Sequence, residues 1–326
     1  MAPSHYEQLT DAGKARRLKA LVPEILSPFG MTPTETRQCA IHTNIIFRID
    51  TADGQRFALR IQRPGLHRPE ETDLEMWWLQ HLADAGLPVA AGVPTTDGRL
   101  VVNSPTTAAV PVAHRCELFT WLPGSEPDED QPEFFAALGA LAASLHEQSR
   151  GLEIPAHLPR RRWDAVMPYE EPILFEDRFA DVITPERRAT LEAGIAALDT
   201  ALAATYDGNE QPRLLHGDLH NGNVRSWRGQ LSVFDFEDLI IGHPIHDIAV
   251  ALYGSYYNAD DYAAFLAAMC RGYESVAPWP LADDDALIPL FAARALGMIN
   301  FCLFNGGDFL DYVPTLTARV GAFLER

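Results

Sequence analysis

Residues 214–238 read LLHGDLHNGNVRSWRGQLSVFDFED. Two apolar-rich runs, 224–227 and 230–234, flank Arg228-Gly229, which is the pattern of two strands around a tight turn. His216-Gly217-Asp218 lies just before the first run, and Asp235 lies just after the second. A hairpin brings its outer ends together, so Asp218, Asn223 and Asp235 are expected at one mouth. Two carboxylates and one amide make an oxygen-rich set. Such a set suits Mg²⁺, which takes one or two carboxylates plus phosphate oxygens. Phosphoryl transfer needs these parts: one Asp accepts the hydroxyl proton, while an Asn and a second Asp hold the metal that bridges the phosphates. The same stretch leaves another chemistry open, because His216, Asp218 and His220, with His243 and His246, also read as a Zn²⁺ hydrolase cluster. Asp247 stands at a helix start and reads as an N-cap or loop-fixing residue.

The spacing Asp218-x-x-x-x-Asn223 is that of the protein-kinase catalytic loop. Asp235-Phe236 stands where the kinase Asp-Phe-Gly would be, with Glu237 replacing the glycine. Together with Gly242-His-Pro-Ile-His-Asp247-Ile-Ala, these motifs resemble the aminoglycoside phosphotransferase family. That family also includes choline kinases, type II homoserine kinases and bacterial stress-response Ser/Thr kinases. The resemblance is specific over residues 214–250 and extends more weakly over about 35–326. It implies an α+β, bilobal, protein-kinase-like fold, with ATP or GTP and Mg²⁺ as cofactors. Asp218 is then the expected catalytic base, Asn223 and Asp235 the metal ligands, and His216 and Asp247 the supports of the loop.

Kinases place a lysine on the third strand, paired with a glutamate on the next helix. This chain has only two lysines, Lys14 and Lys19, so any later cationic role falls to Arg or His. In Phe57-Ala-Leu-Arg60-Ile the corresponding residue is Arg60, and Glu75 is its expected partner. An arginine stays charged and binds phosphate through two donors. The bland alternative is an exposed strand arginine, and Arg63 and His67 lie in the turn that follows. The nucleotide loop is expected at Cys39-Ala-Ile-His-Thr43-Asn44, which contains no glycine. By the resemblance, Thr43 and Asn44 are phosphate-loop contacts, and Glu117-Leu118-Phe119-Thr120 is the hinge that meets the nucleotide base.

These residues need elements to hold them. Residues 45–50 and 56–61 read as strands around Asp53-Gly54, and 70–85 reads as a helix ended by Gly86. Residues 99–102 and 116–122 read as further strands of an expected five-stranded antiparallel sheet. Residues 14–29 read as one amphipathic helix with Pro23 near its middle. The Pro-rich acidic run 123–132 is the expected boundary between a nucleotide-binding lobe, 1–122, and a mainly helical catalytic and acceptor lobe, 123–326. Helices are expected at 134–149, 186–206, 246–257, 260–273, 284–304 and 314–325.

The chain has 326 residues, 47% apolar, with 45 acidic and 26 basic side chains and a formal charge of −19. Disorder is excluded by the apolar content, and the charge disfavours a nucleic-acid partner. Residues 1–122 carry 13 acids and 12 bases, whereas 123–326 carry 32 and 14. The negative field therefore belongs to the second lobe and favours a small cationic alcohol as acceptor. Acids Glu237, Asp238, Asp260, Asp261 and Asp308, with Tyr256, Tyr257 and Phe309, are candidates for that pocket. A Ser/Thr protein substrate is the second reading, and a nucleotide-binding pseudokinase is the third. Four cysteines in no metal spacing read as buried free thiols of a cytoplasmic protein. No stretch reaches 18 uncharged apolar residues, so no membrane span is expected.

Overall fold

The computed structural model describes residues 6–41, 43–163, 166, 172–206 and 212–326. Its chain divides into two compact units. The first comprises Met1–Gly124 with Ser232–Phe234, and the second comprises Ser125–Leu231 with Asp235–Arg326.

The first unit opens with helices α1 (Asp11–Lys19) and α2 (Val22–Leu26). The Thr10 hydroxyl caps α1 by accepting the Gly13 N–H at 3.2 Å. The single helix expected over 14–29 is thus two helices. Pro23 cannot supply the N–H that an interior position needs, so it stands in the first turn of α2 instead of continuing α1. Strands β1 (Pro33–Ile41), β2 (Ile45–Thr51) and β3 (Arg56–Ile61) follow, then helix α3 (Pro69–Asp84), then β4 (Val101–Asn103) and β5 (Arg115–Thr120). The strands form one antiparallel sheet in the order β1-β2-β3-β5-β4. Alternation in β2 and β3 sends Ile45, Phe47, Ile49, Phe57, Leu59 and Ile61 to one face. There they form a core with Leu18, Val22, Ile25 and Leu26 of the two N-terminal helices. Arg60 falls between the buried positions of β3 and so points the other way.

The second unit begins with helices α4 (Pro132–Gln148) and α5 (Pro185–Tyr206) and strand β6 (Arg213–Leu215). After a short 3-10 turn, Asn221–Asn223, strands β7 (Val224–Trp227) and β8 (Gln230–Val233) form the expected hairpin. Its turn holds Arg228 at φ 52° and Gly229 at φ 80°, as a tight hairpin turn requires. The last two residues of β8 belong to the first unit, where the Val233 carbonyl accepts the Ala90 N–H at 3.2 Å. Strand β9 (Ile240–Gly242) pairs antiparallel with β6. Helices α6 (Ile245–Asn258), α7 (Tyr262–Glu274), α8 (Ile288–Asn305) and α9 (Val313–Leu324) complete the unit.

Close packing of α4 on α7 depends on two glycines. A Cβ at Gly272 would lie 1.9 Å from the Ala136 carbonyl oxygen, and one at Gly139 would lie 2.2 Å from that of Met269. Among the described residues, α8 with the turn before it is long and apolar enough to cross a membrane, but most of that stretch is buried in the unit. Of the four thiols, Cys116 and Cys302 are buried and Cys270 is partly so, whereas Cys39 is exposed. The expectation of four buried thiols fails at Cys39 because β1 is an edge strand with few buried positions.

Candidate active site

In the second unit, β6 runs into the loop that carries His216, Gly217 and Asp218, and the turn Asn221–Asn223 returns the chain into β7. Asp247, in the first turn of α6, holds this loop in place. Its carboxylate accepts the His216 N–H at 3.0 Å and the Gly217 N–H at 2.8 Å. His146 of α4 bonds the same carboxylate through Nε2 at 3.1 Å, and its Nδ1 meets the Tyr273 hydroxyl of α7 at 3.0 Å. His146, Asp247 and His216 are buried. Burial alone would raise the Asp247 pKa, but the bonds from His146 and the loop amides carry it below the ordinary value. His216 Nδ1 in turn accepts the Asp218 N–H at 3.2 Å, and its ring packs on Phe236 at 4.5 Å between centroids.

Both carboxylate oxygens of Asp218 are engaged. Oδ1 lies 2.6 Å from Arg294 Nη2, an arginine of α8. Oδ2 meets Asn223 Nδ2 at 3.0 Å and His220 Nε2 at 3.2 Å. Burial pushes the Asp218 pKa up, yet the Arg294 and His220 charges outweigh it and hold the carboxyl well below the usual range. His220 moves in the opposite sense. Burial disfavours its cation, but the bond to Asp218 raises its pKa. Asn223 spends its amide N–H groups on the Asp218 carbonyl, at 2.9 Å, and carboxylate. Its carbonyl oxygen is then the atom it can offer to a cation.

Asp235 follows β8 with φ 67°, in the left-handed region, and is exposed. Asn223 and Asp235 are hard oxygen donors and fit a divalent cation of the Mg²⁺ type. Among the described residues, no group of three His, Cys, Asp or Glu is arranged to hold a metal. The hydrolase alternative therefore lacks its cluster. His216 and His220 serve Asp218, and His246 is buried against Trp163 at 4.3 Å.

In the first unit, Arg60 is not an exposed strand arginine. It is 4% exposed and forms two bonds to Glu75 of α3, Nη1 to Oε1 at 2.9 Å and Nη2 to Oε2. Its Nε donates to Glu117 Oε2 at 3.1 Å, directly across the β3–β5 ladder. Gln62 Nε2 donates to the other Glu117 oxygen at 3.1 Å. The Phe119 ring lies 5.0 Å from the guanidinium. Glu117 and Phe119, expected only as hinge backbone, thus also enclose Arg60 with their side chains. One buried cation faces two buried carboxylates, and burial raises the Glu117 pKa despite the attraction of Arg60.

The expected nucleotide loop is shorter than its sequence suggests. Cys39 and Ala40 lie within β1, where Ala40 pairs with Ile46 of β2 and Cys39 sits at a register shift. His42 lies outside the described residues, and Thr43 and Asn44 form the bend between the strands, with Asn44 buried. Arg63 pairs with Asp11 at 2.9 Å. Tyr256 and Tyr257 pack in an aromatic cluster with Tyr253, Tyr262 and Phe291.

The sequence reading missed Arg294 and His146, and it weighed His220 only as a metal ligand. A signal existed for each. Arg294 is the lone charge within the apolar run 286–304, and His146 is a lone imidazole on the apolar side of its helix. A charge on such a helix marks a partner that spacing alone does not name.

A bilobal kinase-like architecture with this loop defines a phosphotransferase. Residues 42–283 match the phosphotransferase enzyme family, APH, and the chain belongs to it. It is a small-molecule kinase of that family. It is similar to the amicoumacin kinase of Bacillus subtilis, 26% identical over 78% of this chain and 74% of that protein. Its fold is that of a solved amicoumacin kinase in complex with AMP-PNP and Ca²⁺, with TM-score 0.78, 20% identity, and 96% of each chain covered. A microcompartment-associated aminopropanol kinase also shares the fold, with TM-score 0.78 and 23% identity over 94% of this chain and 97% of that one.

Proposed function

We propose that this chain transfers the γ-phosphate of ATP to a hydroxyl group of a small amine-bearing molecule. The observation that carries the reading is the Asp218 carboxylate, held ionised and oriented by Arg294, His220 and Asn223 within the loop that Asp247 fixes. Asp218 accepts a hydrogen bond from the acceptor hydroxyl and takes its proton as the bond to phosphorus forms. Asn223 and Asp235 would hold a divalent cation, which when bound neutralises phosphate charge. Arg60, kept in place by Glu75 and Glu117, is the cation for the nucleotide phosphates where a lysine is more usual.

Support for a nucleotide and a divalent metal comes from the related kinase that holds AMP-PNP and Ca²⁺. Support for an amine comes from the aminopropanol kinase neighbour and from the acidic balance of residues 123–326. Release of ADP is measured over a panel of amino alcohols, with Asp218→Asn as the comparison. Acceptor-dependent release by the wild type, lowered roughly 10²- to 10⁴-fold in the variant, is the expected result. Release that is independent of Asp218, or of every acceptor hydroxyl, overturns the reading.

A further inference from the structure

The outward stripe of α8 is apolar where a surface helix is ordinarily polar. From Arg294 onward, the residues of α8 that escape burial are Arg294, Gly297, Met298, Phe301, Phe304 and Asn305. Their spacing of three and four residues places them on one side of the helix. The opposite side is buried, through Ala295, Leu296, Ile299 and Leu303. Phe301 is 39% exposed and Phe304 60%. The 3-10 turn Gly307–Tyr312 extends the same surface, because Phe309 meets Phe301 edge to face at 5.7 Å. Phe309 and Tyr312 are themselves exposed. A Cβ at Gly297 would meet nothing within 4 Å, so internal packing does not require a glycine there.

This stripe starts at the catalytic carboxylate. Arg294 bonds Asp218, and Phe301 lies seven residues on, which is about 10 Å along the same side at 1.5 Å per residue. The far end is bordered by Asp308 and Asp311, both exposed, in the same turn as Phe309 and Tyr312. An apolar surface that begins at a reacting group and ends at carboxylates matches one kind of occupant, a molecule with a hydroxyl at one end, an apolar body and a cation at the other.

Resting on the phosphotransferase reading, we propose that the acceptor is an extended amphipathic amino alcohol. Its aromatic or aliphatic body lies along Met298, Phe301 and Phe304, its hydroxyl reaches Asp218, and its ammonium faces Asp308 and Asp311. A three-carbon amino alcohol covers only the Arg294 end and leaves the aromatic surface in water. Placing a phenyl-sized body on that surface removes apolar area from water and is worth about 10- to 100-fold in affinity.

The test compares two probes, aminopropanol and an amino alcohol whose hydroxyl and ammonium stand at opposite ends of a phenylhexyl body. ADP release and calorimetric binding are measured for the wild type, for Phe301→Ala/Phe304→Ala and for Gly297→Leu. Trp227→Ala, an exposed aromatic on the β7–β8 hairpin, is the control and should match the wild type. The expected result is a kcat/KM about 10- to 100-fold higher for the long probe. The double variant should lose that advantage through KM, with at least a tenfold smaller loss on aminopropanol. Gly297→Leu adds bulk to open space and replaces a helix-interior glycine, so it should fold at least as well while raising KM for the long probe.

The proposal is overturned if the long probe neither binds nor reacts better than aminopropanol. It is also overturned if both probes lose equally in the double variant, or if sedimentation shows that the variant abolishes self-association through this face. Phosphorylation of aminopropanol alone would sink the proposal and keep the phosphotransferase reading. Binding of the long probe that needs Phe301 and Phe304, without transfer to any hydroxyl, would keep the surface and sink the phosphotransferase reading.

Discussion

Arg294 Nη2 lies 2.6 Å from Asp218 Oδ1, although 76 positions separate the two residues in sequence. The pair fixes a carboxylate that is still a quarter exposed, on the side opposite its bonds to Asn223 and His220. A guanidinium beside a base lowers its proton affinity but secures its ionisation and aim. In a loose phosphoryl-transfer transition state aim counts for more, because the proton leaves late.

Arg294→Met should therefore lower kcat at pH 7.5 by roughly 10- to 100-fold, the worth of one charge-assisted bond. The acid limb of the rate profile should rise towards the ordinary aspartate range, because the cation that holds the Asp218 pKa down is gone. Activity relative to wild type is then worse at pH 5 than at pH 7.5. Parallel profiles for the two proteins would show that Arg294 acts by packing alone.

The buried cluster around Arg60 makes a different claim, one about folding as well as binding. Arg60→Ala leaves Glu75 and Glu117 buried without their cation, which costs about 3–5 kcal/mol in urea unfolding. The two carboxylates are not equivalent. Glu75 takes both terminal nitrogens, whereas Glu117 takes only Nε and has its pKa raised by burial. Glu117→Gln should thus cost under about 1 kcal/mol, and Glu75→Gln about 2–3 kcal/mol, the price of losing a charged bidentate partner. Equal losses for the two substitutions would refute this division of labour. In the Arg60 and Glu75 double-mutant cycle the losses should be non-additive, because the residues act as one unit.

His246 sets a pH dependence of stability. It is fully buried against Trp163, and burial lowers its pKa to about 3. In the unfolded chain the imidazole takes a proton near pH 6.5, while in the fold it stays neutral. Stability is then complete above pH 6.5 and is lost as pH falls from there towards 3. From His246 alone the loss between pH 7 and pH 5 is about 2 kcal/mol. Asp247, whose pKa is also lowered, adds its loss at lower pH. His246→Leu should flatten the decline between pH 7 and pH 5 in urea titrations. An unchanged slope would place the sensitivity elsewhere.

Most elements were legible because their periodicities are local. The apolar positions of 70–85 and the turn at Arg228-Gly229 state a helix and a hairpin without reference to the rest of the chain. Strand β1 was not legible. It lies at the sheet edge with no position fully buried, so Pro33–Ile41 has no apolar alternation to read, and its end looked like a phosphate loop. The site divides the same way. Asp218 and Asn223 share one loop, and their bond follows from their spacing. Arg294 and His146 come from distant helices, and only tertiary packing brings them to that loop. Arg60 and Glu75 were readable as partners, but the second carboxylate was not. Glu117 reaches Arg60 through strand pairing between β3 and β5, and α3 intervenes between them in sequence.

Asp235 allows charge and backbone to be separated. Its φ of 67° is a conformation that most side chains avoid, and Asp and Asn are the non-glycine residues that adopt it most readily. Asp235→Asn should therefore keep the hairpin and the melting temperature, while removing the carboxylate that would ligate Mg²⁺. Asp235→Ala removes the carboxylate and also puts a residue with no local hydrogen-bonding group at a strained position, at a cost of order 1 kcal/mol. Both variants should bind ATP more weakly in Mg²⁺ and show little difference from wild type in EDTA. Only the alanine variant should also melt earlier. Asn223→Ala should weaken Mg²⁺-dependent binding too, but it also removes a bond to Asp218, so kcat should fall further than the binding loss explains. Calorimetry with and without Mg²⁺, beside thermal melts, reads all three. If Asp235→Asn binds ATP with wild-type Mg²⁺ dependence, the carboxylate is not a metal ligand and its left-handed backbone serves the hairpin alone.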